Sequence, residues 1–319
     1  MSHFQYDVDL CSGLSKDLGF VLGVQAKYKE AFSCFAQSLE RYESLGSEYE
    51  WSTGMTKGFC GYILTRQGEL EKAEEYLVQS LSTKRKFQDN LGIPEIVNWF
   101  GELHEVRSKQ REVRTVELAT AETFYRQCLE LRWTGRRHFE CGAFTGLVRV
   151  KHAQSDYAAI APLLAEAEQL AQQYEYNDHL ASLRLSQGHI AWDGRGAVAA
   201  PVLGEVSSPQ RYYQYALIYA LRYNRFLLDE VLSGRPQGSP LRPIIPHCLE
   251  RGEEGRRMLT ALCDWWRTGV NDIGAPRPDT ISPIPEGIAL LEAERLTRER
   301  EPGDGWPQKS VVEQIEAAL

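Results

Sequence analysis

Few residue pairs in this 319-residue sequence have types that could do chemistry. His247 and Cys248 are adjacent, but a general base must reach its nucleophile, and neighbouring residues on a helix do not face each other. His104-Glu105 lacks the second histidine of a zinc-binding helix motif. The loose glycine pattern at 194–199 follows a predicted helix, whereas a dinucleotide-binding loop follows a strand. We therefore expect a non-enzymatic protein with no catalytic residues, no metal site and no cofactor.

Composition narrows the classes of partner. The net charge is -8 and the sequence pI is about 5.5, which argues against sequence-independent nucleic-acid binding. No Gly-Lys dipeptide is present, so a P-loop is excluded. The seven cysteines form no C-x-x-C pair, as is typical of reduced thiols in the cytoplasm. We see no signal peptide and no apolar run of about 18 residues, so we predict a cytoplasmic protein without membrane contact.

Two segments share one spacing of small and large residues. Each begins with a glycine, and apolar residues follow at the same four offsets. The two sets are Gly19, Leu22, Ala31, Phe35, Leu39 and Gly61, Leu64, Ala73, Leu77, Leu81. Small residues let two helices approach closely, and larger side chains fill the gaps between them. The shared spacing therefore predicts successive helical hairpins.

This pattern resembles the tetratricopeptide repeat (TPR), a helix–turn–helix unit. Fainter units follow, with Gly101 and Tyr125 in a third, Tyr157 in a fourth, and Gly188 and Tyr213 in a fifth. The resemblance implies an all-α fold, a right-handed superhelical α-solenoid of about five hairpins over residues 1–230. The spacing exceeds the usual period of about 34 residues. More weakly, the chain therefore resembles the long-period TPR sensor arrays of bacterial signal-transduction ATPases, without the ATPase domain.

Residues 231–319 have a different composition, and we predict proline-rich linkers with helices that either cap the solenoid or dock a partner. Four prolines between 236 and 246 interrupt helix. A helix after them carries one apolar stripe of Leu259, Leu262 and Trp266.

The same region makes three finer predictions. Trp265 and Trp266 are adjacent on a helix, so we expect one of them to stay partly exposed. Residues 286–301 form an amphipathic helical pattern. Ser310 and Glu313 have the spacing of a capping box, which predicts a short final helix.

The repeat resemblance also implies where a partner binds. In tetratricopeptide proteins the first helices line a concave face, through positions beside and a turn beyond the family's glycine. Carried over position by position, this implies a partner-binding surface of Phe20, Val24, Tyr62, Thr65, Arg66, Asn98, Glu102, Glu105, Arg149, His152, His189 and Trp192. Aromatic and arginine residues are common anchors of protein interfaces.

The sequence thus predicts a protein–protein interaction scaffold or sensor that binds a protein or peptide. Two alternatives stay open. One is a regulatory subunit, or detached sensor arm, that works with a separate ATPase or effector encoded nearby. The other is an enzyme with an unrecognised site. Partner identity and oligomeric state are not specified by any motif.

Overall fold

The computed structural model describes residues 3–199, 208–268 and 310–319. Within those ranges the chain is helical and contains no strand, so the predicted all-α class is confirmed. None of the described helices combines the length and apolar character needed to cross a membrane. The amphipathic helix predicted at 286–301 lies outside the described residues.

The chain divides into two compact units. Unit 1 comprises Met1–Gly146 together with Pro236–Pro240, and unit 2 comprises Leu147–Arg235 together with Leu241–Leu319. This division does not coincide with the predicted boundary at residue 230. The reason is that helices on both sides of residue 230 pack against one another, and only a short segment after it belongs to unit 1.

Unit 1 is a series of helices in which sequence neighbours pack together. They are α1 (His3–Val24), α2 (Tyr28–Leu45), α3 (Glu50–Gln67), α4 (Leu70–Lys86), α5 (Ile93–Arg107) and α6 (Arg114–Glu130). Each contacts the next, and α3 also contacts α1 and α5. The next helix, α7 (Arg137–Ala153), contains the junction between the units. Consecutive packing of this kind is consistent with an α-solenoid.

Glycines set the approach of the paired helices in unit 1. A Cβ atom added to Gly19 would lie 2.9 Å from the Phe35 ring, and one added to Gly61 would lie 2.7 Å from the Leu77 side chain. Real Cβ atoms do not approach other atoms so closely, so both positions need glycine for space. Both contacts join residues at the predicted offset of 16. The predicted pairing of α1 with α2 and of α3 with α4 is therefore confirmed.

Unit 2 contains the remaining helices of the described ranges. They are α8 (Ile160–Gln173), α9 (Asn177–Ile190), α10 (Gly196–Ala199), α11 (Pro209–Tyr223), α12 (Arg225–Ser233), α13 (Ile244–Leu249), α14 (Gly252–Thr268) and a final helix, Val311–Glu316. Helix α11 packs against α9, as expected for the two helices of the fifth unit, and the Tyr213 ring fills the space left by Gly188.

The C-terminal region corrects two predictions. The helix predicted after these prolines is two helices, because Gly252, the first residue of α14, takes a positive φ of 60°. Trp265 and Trp266 are 4% and 0% exposed, so the expected partly exposed tryptophan is wrong. Helix α14 is covered on more than one face, since it packs against α11, α13 and the final helix.

The final helix begins as predicted. The Ser310 Oγ accepts from the backbone N–H of Glu313, and the Glu313 carboxylate accepts from the backbone N–H of Ser310. This reciprocal capping box is confirmed.

Candidate recognition surface

Unit 1 carries a continuous row of aromatic side chains across its first helices. Phe20 on α1 meets Phe59 on α3 edge-to-face, with ring centroids 6.0 Å apart. Trp99 on α5 continues the row, 5.7 Å from Phe59 and 5.1 Å from Tyr62. The Arg66 guanidinium ends it, 5.9 Å from the Tyr62 ring centroid. We call these five residues the aromatic row.

The helical spacing on α3 explains why the row is continuous. Phe59, Tyr62 and Arg66 follow one another at intervals of three and four residues, so they share one face of the helix. Trp99 stacks against that face from the neighbouring α5. Offset-stacked and edge-to-face rings each add about 1 kcal/mol beyond the area that they bury. These mutual contacts therefore order the rings of the row.

Exposure is greatest at the Phe20 end of the row. Phe20 is 55% exposed and the neighbouring Val24 is 42% exposed. Phe59 and Tyr62 are half-buried, while Trp99 and Arg66 are each 8% exposed. Two large apolar side chains on one turn of α1 are thus open to solvent beside rings that are already ordered.

The other predicted residues of unit 1 are mostly engaged within the chain. The Thr65 hydroxyl donates to the Gly61 carbonyl oxygen at 3.0 Å, and Glu105 accepts from the Tyr125 hydroxyl at 2.6 Å. Thr65 and Glu105 are buried. Asn98 is also buried, and its amide nitrogen lies 3.4 Å from a carboxylate oxygen of the half-buried Glu102. These four residues contribute to the structure of unit 1, and only Glu102 retains appreciable exposure.

In unit 2, the predicted His152 forms a polar cluster with Asp193. The His152 Nε2 donates to the Asp193 carboxylate at 2.8 Å, and Arg251 forms an ion pair with the same carboxylate. Burial lowers the pKa of His152, although the hydrogen bond to Asp193 opposes the shift. Burial alone would raise the pKa of Asp193, but the bonds from His152 and Arg251 outweigh it and lower that pKa. The carboxylate is therefore an internal partner for two side chains.

His189 is fully integrated into unit 2. Its Nε2 lies 2.8 Å from the Arg242 carbonyl oxygen, which can only accept, so Nε2 carries the proton. Its Nδ1 then accepts from the Tyr213 hydroxyl at 2.8 Å. Burial, followed by the nearby His247, holds the pKa of His189 well below its usual range. This neutral tautomer orients the ring and leaves it no bond to give a partner.

Arg149 and Trp192 also have internal partners. The Arg149 guanidinium donates to the Ser182 hydroxyl at 3.0 Å. The Trp192 indole N–H donates to Glu254 at 3.2 Å, and the Arg251 guanidinium lies 5.0 Å from its ring centroid. Trp192 is half-buried and packs against these groups.

His247 and Cys248 do not form a reactive pair. Burial raises the pKa of the Cys248 thiol to about 12, so it stays protonated at neutral pH. Burial, with the charges of Arg242 and Arg251, lowers the pKa of His247 to about 3. Both ring nitrogens of His247 are buried without a hydrogen-bond partner in the described structure. Cys248 is fully buried in the core.

Sequence reasoning missed Phe59, Trp99 and the segment 236–240. Phe59 lies one turn before Tyr62, and Trp99 is next to Asn98, so a wider search along each first helix could have found both. No local pattern connects residues 236–240 with unit 1. No model of a known protein family matches the chain, and no curated protein is significantly similar to it.

Proposed function

We propose that the chain is a non-enzymatic, TPR-like helical-repeat protein of the cytoplasm that binds a protein or peptide partner through the aromatic row of unit 1. The observation that carries this proposal is the row itself, which runs over α1, α3 and α5 with Phe20 half exposed. Binding hot spots are typically aromatic and arginine side chains in ordered surroundings.

The row favours a peptide with apolar side chains. Phe20 and Val24 offer exposed apolar surface, and burying it in a complex is favourable by about 25 cal/mol per Å². The rings are already ordered by their mutual contacts, so binding costs less side-chain entropy than it would on a flexible surface. Glu102 lies three residues after Trp99 on α5, so the two share a helix face, and its carboxylate favours a partner that also carries a basic group.

Selection from a random peptide library tests the proposal. The folded chain is immobilised, enriched peptides are sequenced, and their affinities are measured by fluorescence anisotropy. We expect Tyr62→Ala and Phe20→Ala to weaken the enriched peptides by about tenfold or more. Val116→Ala on α6 is the matched control, because Val116 is 68% exposed and lies outside the row. Equal affinities for all three variants would contradict the proposal.

The nature of the native partner decides between a free-standing scaffold and a regulatory subunit. Capture from the native host with wild-type chain, in parallel with Tyr62→Ala, identifies proteins that depend on the row. A captured ATPase or effector would favour the detached sensor arm, and a different protein would favour the scaffold.

A further inference from the structure

Residues 236–240 form a tight turn that belongs to unit 1, although the chain on both sides belongs to unit 2. The Ser239 backbone N–H donates to the Pro236 carbonyl oxygen at 3.1 Å, which closes a β-turn. Proline stands on both sides, at 236 and 240. We call these five residues the resident turn.

Main-chain atoms of the resident turn form hydrogen bonds with residues beside the Arg66 end of the aromatic row. The Gly238 N–H donates to the Arg66 carbonyl oxygen at 3.3 Å. That carbonyl lies in the last turn of α3, where helix carbonyls lack partners within their own helix. The Lys109 ammonium, just beyond α5, donates to the Ser239 carbonyl oxygen at 2.5 Å. One donor and one acceptor of the turn are thus matched by the ends of two first helices.

The fit restricts which turn can lie there. Gly238 is buried, and a Cβ atom added to it would overlap the Thr65 carbonyl oxygen. The obstructing atoms at Thr65 and Arg66 belong to backbone, which cannot move aside as a side chain could. Gln237, in contrast, is exposed to solvent, so the site does not select for its side chain. The site therefore requires glycine at the third position of the turn and leaves the second position unrestricted.

We infer that the resident turn occupies a binding site for a partner's β-turn of the form Pro-x-Gly-Ser-Pro, and that the partner's turn displaces it. This inference rests on the proposed function and names the class of ligand at the Arg66 end of the row. Because the resident turn is part of the same chain, its effective concentration is on the order of millimolar. The resident turn acts as an internal competitor. A partner binds only when its further contacts with the aromatic row compensate for the free energy of displacing that turn.

A labelled peptide with the sequence of residues 235–243 tests this competition by fluorescence anisotropy on the full chain. Gly238→Ala in the chain expels the resident turn, so we expect the peptide to bind this variant about tenfold or more tightly than wild type. Adding Lys109→Met to Gly238→Ala removes the ammonium donor and is expected to abolish the gain. Gln237→Ala is the matched control and retains the wild-type affinity, because that side chain is exposed.

A second variant distinguishes displacement of the turn from a general folding defect. Pro236→Gly with Pro240→Gly loosens the turn without adding atoms, and it should give the same gain; circular dichroism reports whether each chain is folded. A folded variant that binds no better than wild type overturns the inference, and so does a peptide with alanine in place of Gly238 that binds equally well. Those results leave the library selection on Phe20 and Tyr62 unaffected, so the two proposals fail separately.

Discussion

The two units use similar residue types in opposite ways. In unit 1, glycines and aromatic side chains bring helices together, and the aromatic row reaches the surface at Phe20. In unit 2, polar side chains are turned inward, where Arg184 and Glu168 form an ion pair with both residues 0% exposed. Gln187 joins the pair, since its amide donates to Glu168 at 2.9 Å. The aromatic row of unit 1 leaves Phe20 open to solvent, whereas the predicted residues Arg149, His152 and His189 of unit 2 form hydrogen bonds within their own unit.

This contrast shows why position in a repeat does not by itself define a binding residue. The repeat resemblance implies that Tyr62 and His189, each directly after a glycine, are both partner-binding positions. Tyr62 stacks on Trp99 and keeps part of its surface, whereas His189 is held between Tyr213 and Arg242. The neighbours that arrive from distant parts of the chain decide which position remains accessible.

The largest expected effect is on the core of unit 1. Ala73→Glu places a charge where α4 packs on α3, and Ala73 is 0% exposed. We expect a loss of about 4 kcal/mol or more in the free energy of unfolding, with reduced helical circular dichroism. Val78→Glu on the same helix is the control, because Val78 is 53% exposed and should tolerate the charge. Retention of full helicity by Ala73→Glu would count against the helix pairing.

The next effect concerns the buried ion pair of unit 2. Arg184→Met leaves the Glu168 carboxylate buried without its cation. We therefore expect the free energy of unfolding, measured by urea denaturation, to fall by about 3–5 kcal/mol. Arg184→Met combined with Glu168→Leu removes both charges and should regain most of that stability. The exposed Arg126–Glu122 pair on α6 offers the contrast, since Arg126→Met should cost less than about 0.5 kcal/mol. Similar losses of unfolding free energy at the two ion pairs would contradict the contrast between the buried pair of unit 2 and the exposed pair of unit 1.

A smaller effect is the response of unit 2 to pH. The pKa of His247 is about 3 in the folded chain, against about 6.5 for an unfolded histidine. Between these values the unfolded state binds a proton that the folded state does not, so stability is greatest above pH 6.5 and falls as the pH falls. From pH 7 to pH 5, we expect wild type to lose about 1–2 kcal/mol more than His247→Phe. If the free energy of unfolding fell by the same amount from pH 7 to pH 5 in both proteins, His247 would not titrate in this way.

The smallest effect on stability is expected at the open end of the aromatic row. Phe20 is 55% exposed, so Phe20→Ala should shift the melting temperature by only about 2 °C or less. Phe35→Ala is the internal comparison, because Phe35 is 1% exposed against Gly19 and should cost about 3–5 kcal/mol. If Phe20→Ala destabilised the chain as much as Phe35→Ala, the role of Phe20 would be structural.

The sequence predicted those features that depend on residues close in the chain. Gly19 with Phe35 and Gly61 with Leu77 lie within single hairpins, so spacing alone indicated their contacts. The capping box at Ser310 is local as well. These features follow from helical geometry and from the size of the side chains.

Features that depend on distant segments could not be predicted. The Arg242 carbonyl fixes the His189 tautomer from 53 residues away, and Lys109 holds Ser239 from 130 residues away. Neither contact has a periodic signal, because each involves at least one residue outside the regular helices. Both contacts alter the candidate site: one removes His189 from the surface, and the other fills the Arg66 end of the row.

The most direct test of the central claim compares one residue from each unit in the same binding experiment. A library-selected peptide is titrated into Phe20→Ala of unit 1 and into His152→Ala of unit 2, with folding of both checked by circular dichroism. We predict that Phe20→Ala weakens binding by about tenfold or more and that His152→Ala stays within about twofold of wild type. The reverse order, with His152→Ala the weaker binder, would contradict the assignment of recognition to the aromatic row.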